Sequence, residues 1–111
     1  MDSRQILNID IVLPVYNEEY CLEKNVNRVC TYLRSNAFYN WRVIIADNAS
    51  FDKTSIIATV LATQIDEVDV VRFERKGRGY ALRSTFQKSK ADAAIYMDID
   101  LSTNLCHINE L

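Results

Sequence analysis

The sequence predicts an α/β fold, in which a mostly parallel β-sheet is covered by helices on both faces. Short runs rich in β-branched residues alternate along the chain with segments whose apolar residues recur at helical spacing. Helices between consecutive strands favour right-handed crossovers, and these make neighbouring strands parallel. Pro14, Gly77 and Gly79 all fall at predicted strand ends, so the two glycines concentrate backbone freedom in a loop that follows a strand.

The first half of the chain predicts a strand, a helix and a second strand. Residues 9–14 form a β-branched run that we expect Pro14 to end, because proline has no N–H for the ladder. The next helix is predicted by an apolar stripe at helical spacing, formed by Leu22, Val26, Val29, Cys30 and Leu33. Residues 41–47, WRVIIAD, predict the second strand.

The second half continues this alternation. Ser50 or Asp52 is expected to cap a helix over about residues 53–65. Its buried side is predicted to consist of Ile56, Ile57, Val60, Leu61 and Ile65. Residues 68–74 predict the third strand, and the segment RKGRG leads into a third helix over about residues 79–89. That helix is expected to pack through Ala81, Leu82 and Phe86.

The composition is that of an ordinary globular protein, and 111 residues are expected to form a single domain. With 49% hydrophobic residues, 25% charged residues and a net charge of −2, the chain has no bias toward nucleic acid. No apolar run approaches the roughly 20 residues that cross a bilayer, and residues 1–8 lack the apolar core of a signal peptide. We therefore expect a cytoplasmic location.

The cysteines show neither a zinc-binding pattern nor a disulfide framework, because they are odd in number and widely spaced. We expect Cys30 in the core and free thiols at Cys21 and Cys106.

The most informative stretch is the fourth predicted strand, residues 93–98, an apolar run that ends in a pair of carboxylates. We expect the strand to be buried, with Asp98 and Asp100 at its carboxyl end. Residues two apart in extended chain project to the same side, so both carboxylates can face one ligand. A cation relieves their repulsion, and carboxylate oxygens favour Mg²⁺ or Mn²⁺. A solvated turn is the structural alternative for an Asp-x-Asp pair.

Polar clusters follow all four predicted strands, and the carboxyl ends of parallel strands meet at the edge where ligands bind. These clusters are Tyr16, Asn17 and Glu18; Asp47 and Asn48; Arg75, Lys76 and Arg78; and Asp98 and Asp100. Carboxylates suit base N–H groups and ribose hydroxyls, and the basic cluster with its glycines suits an anion. Together they predict a site for a nucleoside diphosphate compound, although each cluster alone also has a structural explanation.

Other nucleotide-binding signatures are poorly matched. A dinucleotide fingerprint needs Gly-x-Gly-x-x-Gly after the first strand, where this chain has VYNEE. The sequence from Gly77 to Gly79 has Leu82 at the third glycine position. No Gly-x-x-x-x-Gly-Lys-Ser/Thr sequence occurs, which excludes a standard P-loop. A dehydrogenase fragment is the weaker alternative, which metal-independent binding of NAD would favour.

Four segments in order, DIVLPVYNEE, VIIADNASFDKT, RKGRGYALR and YMDIDLS, resemble the nucleotide-binding half of family 2 glycosyltransferases. The last segment is most similar to the polyprenyl-phosphate (dolichol-phosphate) mannose and glucose synthases. The resemblance covers about residues 10–102. It implies a partial GT-A fold, a Rossmann-like three-layer α/β/α arrangement with strand order 3-2-1-4.

The resemblance also implies roles for residues around the nucleoside. Pro14, Tyr16 and Glu18 would line the nucleoside pocket. Asp47 would contact the base, with Ile45 beside it. Asn48 stands where the family often has an acidic residue, which could alter the base contacts.

A second group of residues would act on the donor diphosphate. Asp98 and Asp100 would coordinate Mg²⁺ or Mn²⁺, with Ser102 assisting. Lys76 and Gly77 lie where the third family motif approaches the donor. Ile99, between the two aspartates, is bulkier than the small residue common there and would narrow the donor pocket.

The implied reaction is sugar transfer from a UDP- or GDP-linked donor to an acceptor such as a polyprenyl phosphate, with inversion. Family members continue beyond this length with acceptor-binding elements and the catalytic base. We therefore expect the chain to be the amino-terminal, donor-binding half of a longer enzyme, with the catalytic base beyond Leu111. No catalytic residue is assigned within the 111 residues.

Two further expectations concern partners. Membrane contact would come through the longer parent or the lipid acceptor. The fourth strand would be an exposed edge able to form a dimer. A noncatalytic nucleotide- or metal-binding module of the same fold is the alternative function.

Overall fold

The computed structural model describes residues 7–74, 83, 85, 87 and 89–97. In chain order the elements are β1 (Asn8–Val15), α1 (Leu22–Asn36), β2 (Asn40–Asn48), α2 (Thr54–Gln64), β3 (Val68–Phe73) and β4 (Ala93–Tyr96). The strands form a parallel sheet in the order β3-β2-β1-β4. The predicted α/β architecture and strand order are therefore confirmed.

The register places the carboxyl ends of β1, β2 and β3 side by side. Val15 pairs with Asp47, and Asp47 pairs with Arg72 on its other side. β4 pairs with β1 from Ile9 to Val12 and points the same way. The loops that leave these strands consequently begin at one edge of the sheet, which we call the carboxyl edge.

Pro14 lies inside β1 and does not end it, which corrects the predicted boundary. It pairs with Ala46, and the strand continues to Val15. Val12 O accepts a hydrogen bond from Met97 N–H at 3.0 Å, so the backbone groups of Val12 face β4. Alternation turns the nitrogen of Pro14 to the same side. The β1–β2 ladder therefore loses no hydrogen bond.

The two long helices α1 and α2 cover one face of the sheet and enclose the main core. The buried core side chains are Ile9, Ile11, Leu13, Val15, Leu22, Val26, Cys30, Leu33, Val43, Ile45, Ala58, Leu61 and Val68. The predicted stripe of α1 is confirmed, with Val29 partly buried against this cluster. Within the described ranges, no helix is long and apolar enough to cross a membrane.

The buried side of α2 differs from the predicted one. Ile56 and Val60 expose 65% and 44% of their surface, so the prediction that they are buried is wrong. Thr54 is instead fixed on the inner side, because its hydroxyl accepts a hydrogen bond from Glu18 N–H. Helical spacing then buries Ala58 and Leu61, which lie on the same face.

The second face of the sheet carries a smaller cluster of Val12, Ala46 and Phe73. Residues 83, 85 and 87 have helical backbone within the predicted third helix, and Thr85 is buried. Ser89 Oγ donates to Asp10 Oδ2 at 2.6 Å, which ties the end of this segment to β1. The predicted packing residues of this helix, Ala81, Leu82 and Phe86, lie outside the described residues.

Among the residues that the structure describes, β4 is an edge strand, and its side chains are largely exposed, so the expectation that it is buried is wrong. Ile95, Tyr96 and Met97 expose 45%, 39% and 36% of their surface. The strand has β1 on one side and stands at the end of the sheet order. The other expectation for this strand, that it forms an exposed edge of the sheet, is confirmed for the described residues.

Cys30 is a buried free thiol, as expected, and burial is the main cause that raises its pKa. Cys21 is also buried but is disulfide-bonded, so the expectation of a free thiol is wrong there. The fold and not the spacing decides which cysteines meet, and spacing alone therefore failed. Cys106 lies outside the described residues.

Candidate functional site

The candidate site lies at the carboxyl edge, where the loop after β1 meets the loop after β2. Residues 16–21 form the first loop, and residues 49–53 form the second. Side chains of each loop hydrogen-bond the backbone of the other, as in the pair Asn17 and Ser50. The first two polar clusters predicted from the sequence are therefore brought together.

Asn17 and Ser50 form the inner part of this contact. Asn17 N–H donates to Ser50 Oγ at 2.9 Å. In return, Asn17 Oδ1 accepts from Phe51 N–H at 3.0 Å. Asn17 has a φ of 51°, in the left-handed region that asparagine tolerates better than most residues. The side chain that allows this backbone conformation is thus also the one that joins the loops.

Glu18 and Glu19 form the outer part of the contact with the start of α2. Glu18 N–H donates to Thr54 Oγ1 at 2.7 Å. Glu19 Oε1 accepts from Lys53 N–H at 3.0 Å, and Glu19 N–H donates to Asp52 Oδ2 at 3.3 Å. Asp52 Oδ1 also accepts from Thr54 N–H at 2.9 Å. The N-cap of α2 is Lys53, which makes no side-chain capping bond, so the predicted cap at Ser50 or Asp52 is wrong.

Asp47 is fully buried beneath these loops and anchors them from below. Its Oδ1 accepts from Ser50 N–H at 3.1 Å. Its Oδ2 accepts from Ser55 Oγ at 2.7 Å and from Arg72 Nη1 at 2.9 Å. Arg72 Nη1 also reaches Ser50 O at 3.2 Å. In this structure Asp47 therefore connects β2, β3, α2 and the second loop.

Tyr16 and Phe51 form an aromatic pair at the rim. Their ring centroids are 6.0 Å apart, with an interplanar angle of 75°. Phe51 exposes 81% of its surface, whereas Tyr16 is half-buried. Close by, a hydrogen bond to Glu19 and the charge of that carboxylate raise the pKa of Tyr20.

The remaining predicted site residues occupy different environments. Pro14 is buried in β1, and Glu18 is half-buried in the first loop. Ile45 is fully buried and belongs to the main core under α1 and α2. The predicted residues Lys76, Gly77, Asp98, Ile99 and Asp100 lie outside the described residues, as do Arg75, Arg78 and Ser102.

The position of the catalytic base stays a prediction. It was expected beyond Leu111, and Leu111 itself lies outside the described residues, as do all positions from 98 onward. The described part of the chain therefore does not bear on the catalytic base.

A concave surface also lies at the opposite, amino edge of the sheet. This cavity of about 310 Å³ is lined by Asn8, Ile9, Asp10, Asn40, Trp41, Arg42, Lys90 and Ala91. Two of its charged groups have protein partners, since Arg42 Nε lies 2.9 Å from Asp69 Oδ2 and Asp10 accepts from Ser89. We assign the site to the carboxyl edge, because ligands of open parallel sheets bind there, and keep this cavity as the rival location.

Sequence reasoning missed Arg72, Ser55 and Phe51, and it gave Ser50 only a helix-capping role. Arg72 lies in a predicted strand, and a charged residue on a buried strand is a signal that it has a partner. The partner, Asp47, became evident only with the register of β2 and β3. Phe51 gave the signal of a large apolar residue within a polar loop.

This parallel sheet with joined loops at its carboxyl edge has the architecture of the GT-A class of glycosyltransferases. The model of the family described as "Glycosyl transferase family 2" matches residues 10–106. The chain belongs to this family.

Three curated relatives show how the chain compares with other members. It is 34% identical over 110 residues to the glycosyltransferase AglD of Haloferax volcanii, covering 95% of this chain and 17% of that protein. It is 30% identical to the undecaprenyl-phosphate 4-deoxy-4-formamido-L-arabinose transferase of Pectobacterium carotovorum, covering 86% of this chain and 30% of that protein. It is 26% identical to the dolichol-phosphate mannosyltransferase of Pyrococcus furiosus, covering 86% of this chain and 26% of that protein. The chain thus spans less than a third of each relative.

A solved structure has the same fold. The mannosyltransferase of Pyrobaculum calidifontis, in complex with GDP-Man and Mn²⁺, superposes with a TM-score of 0.71 at 20% identity. The superposition covers 89% of this chain and 29% of that one.

Proposed function

We propose that this chain is the donor-binding part of a glycosyltransferase that transfers a sugar from a UDP- or GDP-linked donor. The observation that carries the proposal is membership of glycosyl transferase family 2 over residues 10–106. The joined loops at the carboxyl edge support it, because ligands of open parallel sheets bind outside this edge. A structural neighbour was solved with GDP-Man, and this supports a nucleotide-sugar donor.

The nucleoside is proposed to bind beside the joined loops. Pro14, Tyr16 and Glu18 line the pocket there, and Tyr16 offers a ring for a flat base. Asp47 and Ile45 are both fully buried beneath it. Asp47 acts on the nucleobase through the groups it holds, Ser50 and Arg72, and Ile45 supports Asp47 from the main core. Lys76, Gly77 and Ile99 are proposed to approach the diphosphate and sugar.

Asp98 and Asp100 are proposed to hold Mg²⁺ or Mn²⁺ on the donor diphosphate. Their fit is one of chemistry and chain order, since two hard carboxylates follow β4, and β4 runs parallel to β1 toward the carboxyl edge, with its last pair at Val12 and Tyr96. Among the described residues, no group of three possible metal ligands is found, and Asp98 and Asp100 lie outside those residues. A divalent ion held there supplies stabilisation of the negative charge that develops on the leaving diphosphate.

The acceptor is proposed to be a polyprenyl phosphate, and transfer to proceed with inversion. The names of two relatives contain such acceptors, undecaprenyl phosphate and dolichol phosphate. The acceptor oxygen attacks the anomeric carbon, and the bond from that carbon to the diphosphate breaks. The base that takes the acceptor proton is proposed to lie beyond Leu111.

We propose that the chain is a single domain that acts as the donor-binding portion of a longer protein, with a cytoplasmic location. Its coverage of less than a third of each relative supports a longer protein but does not bear on the location. Membrane contact would come from that longer protein or from its lipid acceptor.

Binding and turnover together test the proposal. Calorimetric titration of the chain with GDP, UDP and their sugars in Mn²⁺ should detect metal-dependent binding. Release of nucleoside diphosphate from the sugar nucleotide, with and without polyprenyl phosphate, should detect transfer or slow hydrolysis. Binding without any turnover favours the noncatalytic module, and absence of binding contradicts both functions.

A further inference from the structure

Phe51 is a large apolar side chain presented to solvent at the carboxyl edge. It exposes 81% of its surface and lies beside the half-buried ring of Tyr16, 6.0 Å between centroids. Single exposed apolar residues are common on protein surfaces. The position of Phe51 is unusual because its backbone is fixed by contacts from the neighbouring loop.

Asn17 provides that fixation. Its Oδ1 accepts a hydrogen bond from Phe51 N–H at 3.0 Å, while its own N–H is held by Ser50 Oγ at 2.9 Å. Asn17 directly follows Tyr16, so this residue links the backbone segments that carry the two rings. The exposed ring of Phe51, edge-on to the half-buried ring of Tyr16 and carried on a held backbone, is a preformed surface for a flat ligand.

We propose that Phe51 is a further nucleobase-contacting residue and that Asn17 is the positioning residue that holds it beside Tyr16. This inference rests on the proposed function, because the nucleoside is the part of a sugar nucleotide that carries a flat aromatic group. Stacking of a base on an aromatic ring depends little on which base it is, so the contact serves guanine or uracil.

The strand order indicates the orientation in which a nucleotide would bind. Phe51 follows β2, and the carboxylates proposed to bind the metal follow β4, on the other side of β1. A nucleotide placed across the end of β1 puts its base toward Phe51 and its diphosphate toward the carboxylates. Inorganic pyrophosphate has no base, so its affinity for the chain should not depend on Phe51.

The experiment compares Phe51→Ala and Phe51→Leu with a matched control, Phe38→Ala. Phe38 is a 96% exposed phenylalanine in the turn between α1 and β2, at the amino edge. Calorimetry in Mn²⁺ measures the Kd of GDP, UDP and inorganic pyrophosphate. We expect Phe51→Ala to raise the Kd of the nucleotide that binds by about tenfold, and Phe51→Leu to recover only part of this loss. Pyrophosphate binding and the Phe38→Ala variant should be unchanged.

Two substitutions of Asn17 test its positioning role. Asn17→Asp keeps a side-chain oxygen acceptor and should retain nucleotide affinity. Asn17→Gly keeps the left-handed backbone but loses the acceptor, and should match the loss of Phe51→Ala with pyrophosphate binding intact.

Three results would overturn the inference alone: unchanged nucleotide affinity in Phe51→Ala, an equal loss for pyrophosphate, or full affinity in Asn17→Gly. If the unmodified chain binds none of the three ligands, the proposed function fails, and the inference fails with it.

Discussion

Arg72 on β3 reaches across to Asp47 on β2, with 2.9 Å between Nη1 and Oδ2. The two residues are register partners in the sheet, and the carboxylate is fully buried while the guanidinium is 40% exposed. The same Nη1 also contacts Ser55 Oγ at 2.7 Å, so this ion pair holds the start of α2 over the ends of two strands. The floor of the candidate site is therefore an electrostatic contact and not only an apolar core.

Removal of the Asp47 carboxylate should be costly. Asp47→Ala leaves Ser50 N–H, the Ser55 hydroxyl and the Arg72 guanidinium without their acceptor, and we expect a loss of about 2 kcal/mol of unfolding free energy. The loss is smaller than for a fully buried ion pair, because the half-exposed Arg72 guanidinium can be solvated by water once the carboxylate is gone. Urea unfolding followed by circular dichroism measures the loss. The control is Asp69→Ala, which breaks an exposed pair with Arg42 and should cost less than about 1 kcal/mol. Equal losses in the two variants would refute the anchoring role of Asp47.

Replacement of Ala49 by glycine should stabilise the fold. It has a φ of 58°, in the left-handed region that costs a residue with a Cβ roughly 1–2 kcal/mol. Ala49→Gly removes this cost but adds freedom to the unfolded chain, so we expect a net gain of about 0.5 kcal/mol. Thermal unfolding should give a higher Tm. Ala62→Gly in α2 is the matched control and should lower the Tm, because glycine is unfavourable inside a helix. A lower Tm for Ala49→Gly would show that this backbone conformation is not maintained in solution.

Nucleotide binding should depend on a divalent ion held by the carboxylates after β4. Asp98→Asn or Asp100→Asn should weaken Mn²⁺-dependent binding of the nucleoside diphosphate by about tenfold or more, because each removes a hard, charged ligand. EDTA should produce the same loss in the unmodified chain and little further loss in the variants. Asp66→Asn, at an exposed carboxylate just before β3, is the control and should bind normally. Full affinity in EDTA would rule out the proposed metal role.

The exposed edge of β4 should support self-association. Met97 N–H bonds β1, so by alternation the backbone N–H of Ala94 points away from β1. Ala94→Pro removes this outward donor without breaking the β1–β4 ladder, and should shift the chain from dimer to monomer. Sedimentation equilibrium at increasing concentration measures the change, with circular dichroism to check that the variant is folded. A monomeric unmodified chain at high concentration would rule out the dimer.

The architecture could be predicted because the chain alternates strongly between two periods. Apolar runs such as residues 41–47 and the stripe of α1 left little choice of element, and their order implied a parallel sheet. The burial of α2 could not be predicted. Its apolar residues occur on several sides, and the inner side was chosen by a hydrogen bond of Thr54 to a loop distant in sequence.

The site was predictable as a location but not as a set of contacts. Parallel strands bring the first two polar clusters to one edge whatever their details. The pairing of Asp47 with Arg72 depends on strand register, and the pairing of Asn17 with Phe51 depends on a left-handed backbone angle. Neither the strand register nor the backbone angle can be read from composition or spacing, so both contacts became evident only in the folded structure.

The most direct test of the central claim is a titration of the ¹⁵N-labelled chain with GDP and UDP in Mg²⁺, followed by amide chemical shifts. We predict metal-dependent shifts concentrated at the carboxyl edge, at Tyr16, Asn17, Ser50 and Phe51. Shifts concentrated instead around Asn8, Asn40 and Lys90 at the amino edge, or no shifts with either nucleotide, would contradict it.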